Sequence, residues 1–234
     1  NVAFYSYLIA KKLINSIFND IINSKSISDL ERILEKNEVE TNYWIKTDDY
    51  PKIKFYISNS EIEKLENESF IINYIFNHNK IKDVDNTIAK LLYAMAWKNG
   101  DLKKIKHIIQ GIKDVEKSSS KKNDGLVFYQ FGKYLAKKES EPIIDQHVLR
   151  DFKVYLTDAD KEDDICEARN LATVGKKEIE LIKDYKNWLI SDELSDDLKR
   201  ETDYAYHIDK ILFAVGKKIK SNKNEKKKIN IPNI

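Results

Sequence analysis

Apolar residues recur at intervals of three and four along most of this chain, the spacing that places them on one face of a helix. The first such stretch predicts an amphipathic helix over residues 4–22. A serine followed three residues later by glutamate has the form of a capping box, which begins a helix. Ser28 with Glu31 predicts the start of the second helix, which ends at Asn37. Ser60 with Glu63 predicts the start of the third.

The middle of the chain predicts a helical hairpin. A periodic stretch from Asp85 to Trp97 ends at Gly100, where glycine readily takes the left-handed conformation, and Asp101 follows as the N-cap of another helix. Residues 52–57 instead alternate between polar and apolar, which favours a short strand or an extended arm.

The second half of the chain continues the helical pattern. Residues 116–124 are polar and non-periodic, which indicates an exposed loop before a largely apolar helix over 126–135. Further helices are predicted to begin after Asp145 and near residues 165, 177 and 204. The pattern as a whole predicts an all-α, multi-helix domain over residues 1–220, forming one body or two lobes, with residues 221–234 as a lysine-rich tail.

Composition agrees with a helical protein in a reducing compartment. Six glycines and three prolines are too few for the many turns of an all-β fold. One cysteine, Cys166, provides neither an internal disulfide nor a thiolate zinc site. The apolar opening is followed by Lys11 and Lys12, the wrong order for a signal peptide, and no long apolar stretch occurs. We therefore expect a cytoplasmic protein with no membrane partner.

The charges are nearly balanced, with 41 basic and 39 acidic residues, so clustering is more informative than net charge. Lysines are densest over residues 217–228. Such a run is typical of a solvated terminal tail, and phosphate contact by Lys217 and Lys218 is the competing interpretation.

Asp145 is the residue whose position most suggests chemistry. A carboxylate at a helix N-terminus accepts hydrogen bonds from free amides and feels the positive end of the helix dipole. In a cleft, a fixed anion of this kind could stabilise positive charge developing on a sugar ring, or orient a water for attack. The simpler interpretation is that Asp145 only caps its helix.

The residues around Asp145 resemble a known enzyme family. The segment Ile-Ile-Asp-Gln-His-Val-Leu-Arg over 143–150 resembles the catalytic-aspartate segment of the helix-hairpin-helix DNA glycosylase superfamily. The resemblance covers about 30 residues, from Lys121 to Arg150. It implies an all-helical fold in two lobes, duplex DNA as the partner, and excision of damaged bases. We expect no cofactor, because the four histidines are widely separated and give no metal-binding spacing on one helix face.

The resemblance also implies roles for individual residues. Asp145 matches the aspartate that stabilises an oxocarbenium-like state, and His147 and Arg150 match positions close to the substrate. On the preceding helix, Gln130 could read a base edge or satisfy a neighbouring backbone group.

The loop before that helix departs from the family pattern. The family has a Gly-apolar-Gly hairpin there that binds phosphate, and of that hairpin only Gly125 remains in this chain. Lys121 and Lys122 are the candidate DNA contacts in this loop, and Lys122 is also the candidate for the lysine nucleophile of bifunctional members.

Several other features have simpler interpretations. Gly175 lies in a fragment, Leu171–Lys177, that looks like half of a hairpin, but it is expected to cap a helix end. The three tryptophans, Trp44, Trp97 and Trp188, are expected to be packing residues. A non-catalytic helical protein that binds partners therefore remains the alternative to the enzyme.

Overall fold

The all-α prediction is confirmed. A computed structural model describes residues 2–46, 48, 52–67, 87–115, 124–136 and 141–220, and the regular structure in these ranges is helical, without strands. The chain divides into two compact units. One comprises Asn1–Lys52 with Ile144–Ile234, and the other comprises Ile53–Ile143.

Both units are built from helices that we number in chain order. They are α1 (Val2–Asn23), α2 (Ile27–Glu31), α3 (Ile33–Lys36), α4 (Asn59–Asn67), α5 (Thr87–Lys98), α6 (Leu102–Lys113), α7 (Leu126–Leu135), α8 (Gln146–Leu156), α9 (Glu162–Arg169), α10 (Ile179–Leu189), α11 (Asp196–Arg200) and α12 (Tyr204–Lys218). Two short 3-10 helices, Thr41–Tyr43 and Lys176–Glu178, also belong to the first unit.

Helix α8 is the central element of the first unit, where it packs against α1, α9, α10 and α12. Its apolar side chains enter a core in which aromatic rings are prominent. Phe18 of α1 stacks on Tyr155 with ring centroids 3.8 Å apart, and Phe152 meets Tyr185 of α10 at 5.1 Å. Neighbours around α8 therefore fix its position and its rotation about its own axis.

Helix α1 confirms the first predicted helix and is part of the core. The apolar side chains Tyr7, Ile14, Phe18 and Ile21 are buried against the rest of the first unit. None of the helices in the described ranges is long and apolar enough to cross a membrane.

The second unit is organised around the close pairing of α6 and α7. Two glycines permit this approach: a Cβ atom on Gly111 would lie 2.0 Å from the carbonyl oxygen of Tyr129, and one on Gly132 would lie 2.1 Å from that of Ile108. A small buried cluster of Ile62, Ile112 and Leu135 joins α4 to this pair. Here the helix predicted over 126–135 is confirmed at both ends.

Both predicted capping boxes are wrong by two residues. The observed boxes are Ser26 with Asp29 and Ser58 with Glu61, in which each serine side chain accepts from the acidic residue's amide and each carboxylate accepts from the serine amide. In both segments two serines lie two positions apart, and either could begin a helix. The earlier serine is selected in each case, and the later one becomes part of the first turn.

Two other predicted caps also differ. Asp101 stands at the N-cap of α6, but its side chain forms an ion pair with Lys104 rather than capping the helix. Gly175 begins the 3-10 helix instead of ending α9, and its amide donates to Glu178 Oε2 at 2.7 Å. By contrast, Gly100 has the predicted left-handed conformation, with φ +69°.

The alternating segment does not form a strand, one of its two interpretations, and one tryptophan differs from expectation. Residues 52–58 form neither helix nor strand, and Ile57 donates its amide to Leu135 O at 2.9 Å. Trp188 is buried and Trp44 is partly buried, but the side chain of Trp97 is 65% exposed. Residues 116–123 of the loop predicted over 116–124, the start near Asp85 and the tail over 221–234 lie outside the described residues.

Candidate functional site around Asp145

Asp145 is the N-cap of α8, as the sequence predicts. Its backbone is extended, with φ −131° and ψ 160°, and its Oδ1 accepts a hydrogen bond from the amide of His147 at 2.5 Å. The side chain is only partly buried. A carboxylate is thus held at the positive end of a helix that its own unit fixes in place.

His147 is the second residue of α8, and its ring lies between apolar and charged groups. Its ring meets Phe213 of α12 edge-on, with centroids 4.9 Å apart, and its Nδ1 lies 2.6 Å from Arg150 Nη1. Burial lowers the pKa of His147, Arg150 and Lys220 lower it further, and the Asp145 carboxylate and the Gly216 carbonyl oppose the shift. The imidazole is therefore biased towards its neutral form.

Arg150 is fully buried, whereas Asp145 is only partly buried. Its Nη1 donates to the Gly216 carbonyl at 2.6 Å, and its Nη2 donates to the Leu171 carbonyl. Those two carbonyls belong to the last turn of α12 and to the segment after α9, where helical carbonyls lack intrahelical partners. The guanidinium therefore ties the ends of two helices to α8, and in this structure it faces protein groups.

Asp151, next in sequence, is a buried acid that the sequence reasoning missed. Its side chain is fully buried, and neither carboxyl oxygen has a hydrogen-bond partner among the described residues. Burial raises the pKa of Asp151 well above its usual value, although the neighbouring Arg150 acts in the opposite direction. Burial therefore favours the uncharged, protonated form of Asp151 in the folded protein.

The other acid of this core has a partner. Tyr185 donates its hydroxyl to Asp209 Oδ1 at 2.6 Å, inside the first unit. Burial is the main cause that raises the pKa of Tyr185 well above its usual value. Asp209 and, to a smaller extent, Asp151 raise it further.

The remaining candidate residues are distributed over both units. Gln130 of the second unit is buried, and its amide donates to Glu141 Oε2 at 2.6 Å and to the Pro142 carbonyl at 3.1 Å. This arrangement agrees with the interpretation in which Gln130 satisfies a backbone group. Lys121 and Lys122 lie outside the described residues.

The two lysines at the end of α12 contact the segment before residue 43. Lys217 donates to Asn42 O at 3.2 Å, and Lys218 donates to Glu38 O at 3.0 Å and to Glu40 Oε2 at 2.6 Å. The hydrogen bond from Lys218 lowers the pKa of Glu40. Both lysines thus help to hold this segment against α12.

Three of the predicted site residues, Asp145, His147 and Arg150, are brought together at the start of α8. Their spacing along one helix makes this grouping visible in the sequence, whereas the contribution of Gly216 from α12 has no sequence signal. The described residues contain no group of three or more histidine, cysteine or acidic side chains placed to hold a metal ion. No protein-family model, curated protein or solved structure matches this chain.

Proposed function

We propose that this protein binds duplex DNA and cleaves an N-glycosidic bond, with the Asp145 carboxylate as the central catalytic group. The observation that carries the proposal is the placement of Asp145. It is a partly exposed carboxylate fixed at the N-terminus of α8, beside an imidazole whose pKa is lowered. The resemblance of residues 143–150 to the catalytic segment of helix-hairpin-helix glycosylases supports the same assignment.

The chemistry needs a fixed negative charge. When the bond between a base and its deoxyribose breaks, the bonding electrons leave with the base and positive charge develops on the sugar ring. A carboxylate that is already oriented stabilises this charge without further reorganisation. Water then adds to the sugar carbon and loses a proton, the released base takes up a proton on the nitrogen that held the sugar, and an abasic site remains. The target nucleotide must leave the base stack to reach such a group.

The division of the chain is compatible with this proposal. The resemblance implies an all-helical fold in two lobes, and the chain forms two helical units whose boundary falls at Ile143–Ile144, directly before Asp145. In the proposed site His147 is a neighbour of the substrate. We assign the buried Arg150 to supporting His147 and the helix ends rather than to contacting DNA.

The test is Asp145→Asn, with Asp145→Ser as a second variant. Both replacements are good N-caps, so each removes the charge while keeping an acceptor for the His147 amide. We expect base release from duplexes carrying uracil, oxidised or alkylated bases to fall by at least about 100-fold. Circular dichroism should show unchanged helix content. The proposal is wrong if the parent protein releases no base from any of these duplexes, or if Asp145→Asn keeps full activity.

DNA binding is tested separately through its salt dependence. Each lost phosphate contact should reduce the slope of log affinity against log salt by about 0.9. We expect Lys121→Ala and Lys122→Ala to produce that change. Lys217→Ala and Lys218→Ala should have smaller effects, because these lysines already donate to protein groups. A duplex affinity that does not depend on salt would contradict DNA binding through these residues.

A second candidate function is partner binding without chemistry, and α5 carries it. Its side chains Leu91, Leu92, Met95 and Trp97 are each 61% to 65% exposed. Several large apolar side chains exposed on one short helix are typical of interaction surfaces. If α5 mediates self-association, sedimentation velocity should show a concentration-dependent dimer that Leu92→Lys abolishes. A monomer at all concentrations would exclude self-association through α5.

A further inference from the structure

Arg150 and His147 form a contact that restricts where the imidazole can carry its proton. They are three residues apart on α8, so their side chains share a face of the helix. Arg150 Nη1 lies 2.6 Å from His147 Nδ1, a hydrogen-bonding distance that requires one donor and one acceptor.

The roles in this pair are decided by chemistry. A guanidinium has only N–H donors and is not deprotonated in proteins, so Arg150 cannot accept a hydrogen bond. The acceptor must then be the lone pair on His147 Nδ1. A neutral imidazole carries one proton, so that proton is left on Nε2.

We propose that Arg150 is a positioning residue that holds His147 as the neutral tautomer with its proton on Nε2. His147 then presents a hydrogen-bond donor beside Asp145, and it does so without acting as a general base through Nδ1. Its role in catalysis rests on the proposed function, whereas the tautomer itself does not.

One other group competes for the ring proton. The Gly216 carbonyl interacts with the imidazole, and it lies against the same Arg150 Nη1 as His147 Nδ1, so it is the group that could accept a hydrogen bond from Nδ1. However, that carbonyl already accepts from Arg150 Nη1 at 2.6 Å. A proton on Nδ1 would also point at the guanidinium, placing two donors against each other at 2.6 Å. The buried arginine therefore excludes the competing tautomer.

Several nearby groups affect whether the neutral His147 ring gains a second proton. Arg150 from α8 and Lys220 after α12 oppose a second proton on the ring, Asp145 favours it, and burial disfavours it most. Phe213 of α12 covers one edge of the ring with an apolar group. On balance the pKa of His147 is lowered, so the ring should gain its second proton at a lower pH than an ordinary histidine, whose pKa is about 6.5.

The tautomer can be measured by long-range proton–nitrogen NMR on full-length protein labelled with ¹⁵N-histidine, without DNA. The chain has four histidines, and His147→Asn identifies the signals of His147. We expect an unprotonated Nδ1 and a protonated Nε2 at neutral pH. A proton on Nδ1, or an imidazolium at neutral pH, would overturn the proposal whether or not the protein cleaves DNA.

Arg150→Met supplies the second measurement. Without the guanidinium, the Gly216 carbonyl loses its donor and becomes free to accept from the ring, so the proton should move to Nδ1. Arg169→Met is the matched control, because Arg169 is another buried arginine that donates to the end of α12, at Ile219 O and 2.9 Å. The control should leave the tautomer unchanged. An unchanged tautomer in Arg150→Met would contradict the proposal, and if that variant does not fold, the parent spectrum decides.

The catalytic consequence has its own readout. If the glycosylase proposal holds, the pH dependence of base release in the parent protein should show no ionisation from His147 at or above about pH 6.5. An inflection in that range that disappears in His147→Asn would overturn the positioning role. A protein with the expected tautomer and no activity would refute the proposed function alone.

Discussion

Gly216 of α12 lies directly against the main chain of His147 at the start of α8. A Cβ atom on this glycine would be 2.0 Å from the His147 carbonyl oxygen, far inside van der Waals contact. The absence of a side chain lets the last turn of α12 come within reach of Arg150, which donates to the Gly216 carbonyl. This contact links the core packing of the first unit to the geometry around Asp145.

Gly216→Ala should therefore destabilise the first unit. The clash with main-chain atoms forces α8 and α12 apart, and overpacking of this kind typically costs about 1 to 3 kcal/mol. That cost should exceed the gain of up to about 1 kcal/mol from replacing glycine by alanine within a helix. Urea denaturation measures the difference. The control is Gly175→Ala, where the nearest atom to a new Cβ would be Glu178 Oε2 at 3.8 Å, and equal stability losses in the two variants would contradict the prediction.

Asp151→Asn should change how stability depends on pH. The folded-state pKa of Asp151 is raised, so the folded protein keeps a proton that the unfolded chain releases above about pH 4. The resulting stability is fully present below the unfolded pKa and is lost as pH rises towards the folded pKa, by up to about 1.4 kcal/mol per pH unit. Asparagine does not titrate, so the free energy of unfolding of the variant should rise relative to that of the parent as pH rises.

This pH effect is measured by urea unfolding at several values between pH 4 and pH 8. Asp184→Asn is the matched control, because Asp184 is an exposed aspartate in the middle of α10. The stability of this control variant should differ from that of the parent by the same amount at every pH in the series. A constant stability difference between Asp151→Asn and the parent at all pH values would show that Asp151 is ionised in the folded state.

Lys11→Met should destabilise the protein much more than Lys12→Met. Lys11 is only 6% exposed, and its Nζ donates to the carbonyls of Val154 at 2.9 Å and Tyr155 at 2.7 Å. These carbonyls lie in the last turn of α8, where Val154 O also accepts a long hydrogen bond from the Thr157 amide at 3.3 Å. Losing the charged donor should cost about 1.5 to 3 kcal/mol. Lys12 is exposed and serves as the control. Similar melting temperatures for the two variants would contradict the structural role of Lys11.

Ser26→Ala and Ser28→Ala should separate the observed helix start from the one that the sequence first indicates. The side chain of Ser26 accepts from the Asp29 amide at 3.2 Å, so its removal should cost about 1 kcal/mol. Ser28 is exposed within α2, and its replacement should have little effect. The measurement is again equilibrium unfolding, and a larger loss for Ser28→Ala would show that the helix begins at the later serine.

Much of the secondary structure could be read from the chain because it depends on local patterns. The 3.6-residue periodicity predicts α1, α7, α8 and α12 to within a few residues. Start positions were less certain where two serines compete, as at Ser26 and Ser28. The choice between them depends on which carboxylate returns to which amide, and that geometry is not visible in composition.

The sequence by itself determined that this chain is helical and that Asp145 begins a helix, because helix periodicity and capping act over neighbouring residues. Tertiary structure alone decided what surrounds that aspartate. It brought Gly216 against His147, buried Arg150 between the ends of two helices and left the Asp151 carboxyl group without a hydrogen-bond partner in the part of the chain that the structure describes. These relationships join residues from about 20 to nearly 70 positions apart, and they arise from packing between helices that no local pattern records.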